Sequence, residues 1–276
     1  MSRKRSPCYK LRMNRLRSGD AELVYEVLGA GPPLVLLHPF PAHHGFWLPA
    51  AQALLPRYRV ILPDLRAHGD SEVGDGPATM EKHANDLARI CDDAGVGRAV
   101  FAGVSVGGYI LFAFVRQYPE RIAALILSCT RPQADTPEGH NARLKAAEDV
   151  IERGTEWFVD LMTPKLVGHT LRESRPDRVR EIREMMLKMS PQDIAQVQQG
   201  VAERPDSIPT LKTINIPTLI MMGEEDTLAS PSDGELMRRH IRGSRLVVIS
   251  KAGHYACWEE PAQAGRLLRQ FSDSLH

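Results

Sequence analysis

The feature that most limits what this chain can fold into is the spacing of its apolar runs. Leu34 to Leu37 in "PPLVLLHPF" form a continuous run fenced by prolines, and similar runs recur at 58–64, 98–103, 123–128, 217–223 and 244–250. Short apolar runs bounded by turn residues suit strands buried on both faces, as in a parallel sheet. Two further strands are expected near 14–17 and 21–27. Helical patterns fall between the runs. "TMEKHANDLARICDDAG" puts Met80, Ala84, Leu87, Ala88 and Cys91 on one face, with Thr79 as N-cap and Gly95 as stop. "GGYILFAFVRQYP" is an apolar helix ending at Pro119, and "PAQAGRLLRQFSDSL" is a closing amphipathic helix. Strands alternating with helices predict an α/β fold with a mainly parallel central sheet flanked by helices.

Residues 131–208 interrupt this rhythm. They hold no buried-strand run, are charged and helical in pattern, and carry Met162, Met185, Met186 and Met189. The stretch is too long for a structureless loop. It reads as a helical cap inserted between two sheet strands. The expected division is a core of 1–130 and 209–276, a cap of 131–208, and a basic tail over 1–13.

Composition excludes several classes of function. Hydrophobic residues make up 43% of the 276 and charged residues 25%, ordinary values for a globular chain. No apolar run approaches the roughly 20 residues that span a bilayer, so no membrane partner is expected. The N-terminus is basic without an apolar stretch, unlike a secretory signal. Arg3, Lys4, Arg5, Lys10, Arg12, Arg15 and Arg17 leave the rest of the chain mildly acidic within a net charge of +1. Nucleic acid is therefore not the expected ligand, and the tail reads as a solvated terminus. Cys8, Cys91, Cys129 and Cys257 show no metal-ligand spacing and read as reduced thiols of a cytoplasmic protein. Self-association into a homo-oligomer is left open.

Gly103-Val104-Ser105-Val106-Gly107 matches G-x-S-x-G. Chance alone gives about 0.1 such matches in a chain of this size, so position carries the argument. The motif follows a predicted strand and opens a predicted helix, as a nucleophile elbow requires. There the helix dipole and free N–H groups favour developing negative charge. A serine hydroxyl needs a base. Among ten histidines, His254 in "SKAGHYACWEEP" follows the last predicted strand, at the sheet edge that carries Ser105. The base needs an orienting carboxylate. "IMMGEEDTLASP" offers Glu224, Glu225 and Asp226, and Asp226 lies where the loop can fold back. Glu224 and Glu225 read as a solvated acidic turn. An acyl-transfer site also needs oxyanion donors. The Val106 N–H is one. The Phe40 N–H is the other, since Pro39 and Pro41 beside it have none. His38 reads as a brace for this loop and a candidate at the substrate pocket, and His43 and His44 as loop or rim residues. Trp47, Trp157, Phe158, Met162, Met185 and Met186 are further candidates for the substrate pocket, with core packing the competing role.

"HPFP", "DLRAHGDS" at 64–71, "GVSVGG", "GEED" and "AGHYACWEEP" together resemble the α/β-hydrolase superfamily, from about residue 14 to 274. In style the chain is similar to the bacterial carboxylesterase and 3-oxoadipate enol-lactonase branch. It departs at Pro39 and Ala67, where that pattern has glycine. The resemblance implies an α/β-hydrolase fold with a cap and a Ser105–His254–Asp226 triad. It also implies a small ester or lactone as substrate, an acyl-enzyme intermediate, and no cofactor or metal. Serine at the elbow, where dehalogenases and epoxide hydrolases of this fold carry aspartate, favours acyl chemistry. An enol-lactone would require a cation for its carboxylate, for which Arg131 and Lys165 are candidates. The alternatives are C–C bond hydrolysis or perhydrolysis on the same triad, and a slow-turnover ligand sensor.

Overall fold

The computed structural model describes residues 13–275. The basic tail up to Arg12, and Cys8 within it, lie outside the described residues. Eight strands form one sheet: β1 (Met13–Ser18), β2 (Ala21–Gly29), β3 (Pro33–Leu37), β4 (Arg59–Pro63), β5 (Ala99–Val104), β6 (Ile122–Ser128), β7 (Thr218–Gly223) and β8 (Arg245–Ile249). Their order is β1-β2-β4-β3-β5-β6-β7-β8. β1 pairs antiparallel with β2, and β2 with β4; every other pairing is parallel.

The helices are α1 (Leu48–Ala51), α2 (Met80–Asp93), α3 (Val106–Gln117), α4 (Pro137–Leu166), α5 (His169–Ser174), α6 (Pro176–Met186), α7 (Pro191–Ala202), α8 (Ile208–Leu211), α9 (Pro231–His240), α10 (Ala256–Glu259) and α11 (Pro261–Asp273). The sequence signals explain their ends. The Thr79 side chain accepts the Lys82 N–H at the start of α2, and Gly95 stops the chain beyond it at φ 65°. The apolar face expected for α2 is buried throughout.

Side chains alternate across the pleat and build a core on each face of the sheet. Val35 and Leu37 pack with α2, α3 and Met237 of α9, whereas Leu34 and Leu36 pack with α1, α10 and α11. All four are fully buried. Truncating one of the three leucines to alanine costs about 2–5 kcal/mol. β5 and β7 are buried along their whole length, as their sequences predict. β8 is not. It pairs only with β7, so it is an edge strand, and Val248 is 40% exposed.

Between β6 and β7 the described chain forms α4 to α8 and no strand. α4 starts at Thr136, whose hydroxyl accepts the Gly139 N–H, and bends at Gly154, where φ is 84°. No helix among the described residues is long and apolar enough to cross a membrane.

Candidate active site

Ser105 stands between β5 and α3 at φ 53° and ψ −113°, a conformation that costs a non-glycine residue about 1–3 kcal/mol. Its neighbours make the turn possible. A side chain on Gly103 would lie 2.5 Å from the Gly107 backbone, and one on Gly107 would lie 2.7 Å from the Leu37 carbonyl. The Ser105 N–H donates to Ser128 O at 3.0 Å, and its carbonyl accepts the Thr130 hydroxyl at 2.9 Å. The sheet thus grips the turn through its backbone and leaves the Ser105 side chain at a cavity wall.

His254 follows β8 and reaches the same cavity. Its Nδ1 lies 2.8 Å from Asp226 Oδ2. With the proton on Nδ1, the ring donates to the carboxylate and Nε2 is left as the basic nitrogen. The other Asp226 oxygen accepts the Leu228 and Ala229 N–H groups at 2.8 and 3.0 Å. The loop after β7 therefore folds back on its third residue past Gly223, as expected.

Of the two glutamates beside Asp226, Glu224 keeps to the expected solvated turn and Glu225 departs from it. Glu224 is exposed, yet it accepts the Lys251 N–H at 2.9 Å. Glu225 is not a solvated turn residue. It accepts the Thr170 N–H at 3.0 Å and the Thr170 hydroxyl, and pairs with His169 Nδ1 at 3.0 Å. Burial opposes its charge, but the Thr170 bonds prevail and hold its carboxyl below the usual carboxylate range. α5, which sequence cannot place, supplies these partners.

Phe40 lines the cavity, and its carbonyl accepts the buried Tyr255 hydroxyl at 3.0 Å. Among the described residues, neither the Phe40 nor the Val106 N–H has a hydrogen-bond acceptor. His38 braces this loop. Its Nδ1 bonds Pro39 O and its Nε2 accepts the Leu65 N–H, both at 3.0 Å, and burial holds its pKa well below the usual histidine range. It does not line the cavity, which corrects its assignment to the substrate pocket. The "DLRAHGDS" stretch is a scaffold. Asp64 accepts His44 N, His44 Nδ1 and Asp70 N, while Arg66 pairs with Asp86 and Asp20. Ala67 holds φ 68° where glycine is usual. His43, His44 and Asp64 bring three metal-type donor atoms within 4.8 Å, but the His44–Asp64 bond already uses two of them.

The cavity measures about 480 Å³. Trp157, Phe158 and Met162 of α4 line it, beyond the bend at Gly154. Trp47, Met185 and Met186 do not, and these three pocket assignments are corrected. Trp47 is fully buried against Phe46, with ring centroids 5.6 Å apart. Met186 is buried beside Tyr255, and Met185 packs on the same core from α6. α6 turns its methionines to the core, while α4 lines the cavity on both sides of its bend, with Ala142, Arg143 and Ala146 before it and Trp157, Phe158 and Met162 after it. Arg131 and Lys165 both reach the cavity wall. So do Asp135, Arg143 and Gln198, which the sequence reading did not single out. Asp135 accepts from Arg131, Arg143 and the buried Arg204.

An eight-stranded, mostly parallel sheet with a strained serine at its carboxyl edge defines a class. The alpha/beta hydrolase fold model matches residues 32–261, and the chain belongs to that family. Particular relatives follow from the comparison. The chain is 28% identical over 251 residues to 3-oxoadipate enol-lactonase 1 of Acinetobacter baylyi, covering 88% of this chain and 90% of that one. It superposes on a malate-bound thermophilic esterase from Thermogutta terrifontis with a TM-score of 0.92 and 37% identity, over 96% of this chain and 99% of that one. The enol-lactonase from Burkholderia xenovorans gives a TM-score of 0.88 at 25% identity, over 94% and 100%.

Proposed function

We propose that the protein is a serine hydrolase acting on a small carboxylic ester or lactone through an acyl-enzyme. One observation carries this reading: His254, bonded to the buried Asp226, lines the same cavity as the strained Ser105 turn. In the mechanism, His254 Nε2 takes the Ser105 hydroxyl proton as Oγ attacks the acyl carbon. The Val106 and Phe40 N–H groups donate to the developing oxyanion; the peptide that carries the Phe40 N–H is held through its Pro39 carbonyl by His38 Nδ1 and the Ala42 N–H, and the Tyr255 hydroxyl holds the next carbonyl, Phe40 O. His254 returns the proton to the leaving oxygen. Water then attacks the acyl group with His254 again as base, releasing the acid and restoring Ser105. Asp226 orients the ring and stabilises the imidazolium.

The helices between β6 and β7 act in this reading as a lid that sets acyl size, through Trp157, Phe158 and Met162. Arg131, Arg143, Lys145 and Lys165 face only Asp135 and Asp149 among the charged lining residues. That surplus favours substrates with an acidic group, and the malate bound to the Thermogutta esterase is in keeping with it.

A fluorophosphonate probe tests the central claim. It is expected to label the wild type and not Ser105→Ala, with turnover of p-nitrophenyl esters falling on the order of 10⁴-fold or more in the variant. Near-normal turnover by Ser105→Ala would overturn the reading.

A further inference from the structure

Two carboxylates from distant parts of the chain converge on Gly168, at the joint between α4 and α5. A side chain there would meet Glu225 Oε2 at 2.5 Å, Gly253 N at 2.7 Å and Glu259 Oε2 at 2.8 Å. Glu259 Oε2 accepts two backbone N–H groups, from Gly168 and from Gly253, each at 3.0 Å. Gly253 immediately precedes His254. The adjoining Tyr255 N–H donates to Leu166 O at 3.0 Å, at the end of the helix that roofs the cavity. One buried oxygen therefore ties the roof and the His254 loop together, and the two glycines let the backbones touch.

The bond pattern of Glu259 is unlike that of a carboxylate placed for packing alone. Its residue is 6% exposed, and its second oxygen, Oε1, is buried without a hydrogen-bond partner among the described residues. A half-satisfied buried carboxylate is costly. An apolar residue of similar size would fill α10 at lower cost but could not accept either N–H. Among the described residues, Glu225 from the loop after β7 and Cys257 on its own helix interact with its charge, and His169 from α5 pairs with Glu225.

We propose that Glu259 is a positioning residue that locks the cavity roof to the His254 loop, so that seating of the acyl group and aim of the base are set together. The proposal rests on His254 as the base of the hydrolase reading. Glu259 touches neither substrate nor the reacting atoms, and acts through Gly253 and Gly168.

The test uses Glu259→Ala and Glu259→Gln in the full chain. Glutamine keeps an oxygen that can accept both N–H groups; alanine does not. Counted per site labelled by fluorophosphonate, kcat of Glu259→Ala is expected to fall about 10- to 100-fold, the cost of a misplaced base, with KM rising for longer acyl esters. Glu259→Gln recovers most of the loss, whereas a purely structural role lowers Tm and leaves the per-site constants unchanged. A readout free of turnover runs beside it: in Glu259→Ala the His254 Nδ1–H resonance shifts and the Gly168 and Gly253 amides exchange faster. If both signals match the wild type, the proposal is wrong, whatever the rate. If the wild type turns over no ester and labels at no serine, the hydrolase reading fails while these signals still decide the role of Glu259. Should Glu259→Ala not fold, Gly168→Ala disturbs the same contact and is read by the same signals.

Discussion

Asp226 and His254 meet through a 2.8 Å bond between side chains that are 0% and 3% exposed. A bond so shielded fixes which imidazole nitrogen carries the proton. Asp226→Asn is expected to favour the wrong tautomer and to lower kcat about 10³- to 10⁴-fold. Glu224→Gln should change kcat little. Glu225→Gln weakens the hold on Thr170, so its effect should appear in Tm before kcat. A large kcat loss at Glu225 with little at Asp226 would reassign the acid.

The cavity wall separates two groups of apolar residues. Alanine at Trp157, Phe158 or Met162 is expected to shift the preferred acyl length, since one methylene of pocket contact is worth roughly 1–3 kcal/mol in discrimination. Alanine at Trp47 or Met186 should lower Tm and leave the ratio of kcat/KM between short and medium esters unchanged, because both lie in the core. Equal ratios across all five variants would place specificity elsewhere.

A p-nitrophenyl half-ester of a dicarboxylic acid should be preferred over a neutral ester of equal length. Arg131→Gln removes one guanidinium from the cavity wall. The preference is expected to fall about 10-fold or more, as a hydrogen bond to a charged group is worth about 1.5–3 kcal/mol. No preference in the wild type would leave the cationic surplus without a role in binding substrate.

Burial pushes the Glu259 carboxyl up from its ordinary value of 4.5 to about 7. Between these values the folded protein holds a proton that the unfolded chain has lost. This group's contribution to stability is therefore full below about 4.5 and lost as pH rises through about 7. Comparing Tm of the wild type and Glu259→Gln between about pH 5 and about pH 7.5 isolates it, because the other carboxylates are common to both. The wild type should lose ground to Glu259→Gln as pH rises. Parallel curves would mean that Glu259 does not titrate in this window.

The parts of the site legible in the sequence are those whose geometry is local. Gly103 and Gly107 flank Ser105 within one turn, so the motif itself announces the backbone that it needs. Asp226 and His254 were legible because each follows an apolar run by a few residues, and the ends of parallel strands share one edge. The rest depends on distant partners. Glu225 meets Thr170 across 55 residues, and Glu259 meets Gly168 across 91. Nothing near Glu259 in sequence distinguishes it from the exposed Glu260. The methionines of the insertion look alike in sequence. The bend at Gly154 and the turn into α6 decide that Met162 lines the cavity while Met186 enters the core. β8 reads as a buried run, but an edge position comes from topology, which a single apolar run does not encode.

The backbone of Ser105 has a consequence for the evolution of this chain. At φ 53° its main chain sits where an L-residue is disfavoured and glycine is not. Ser105→Gly should therefore be inactive and yet melt at a higher temperature than Ser105→Ala, whose backbone keeps the same conflict. Calorimetry of the two variants reads that strain less the extra unfolded-state entropy of glycine. Thermal selection acting alone would drift this position towards glycine; in the proposed hydrolase reading, selection on the reaction is what keeps a serine here.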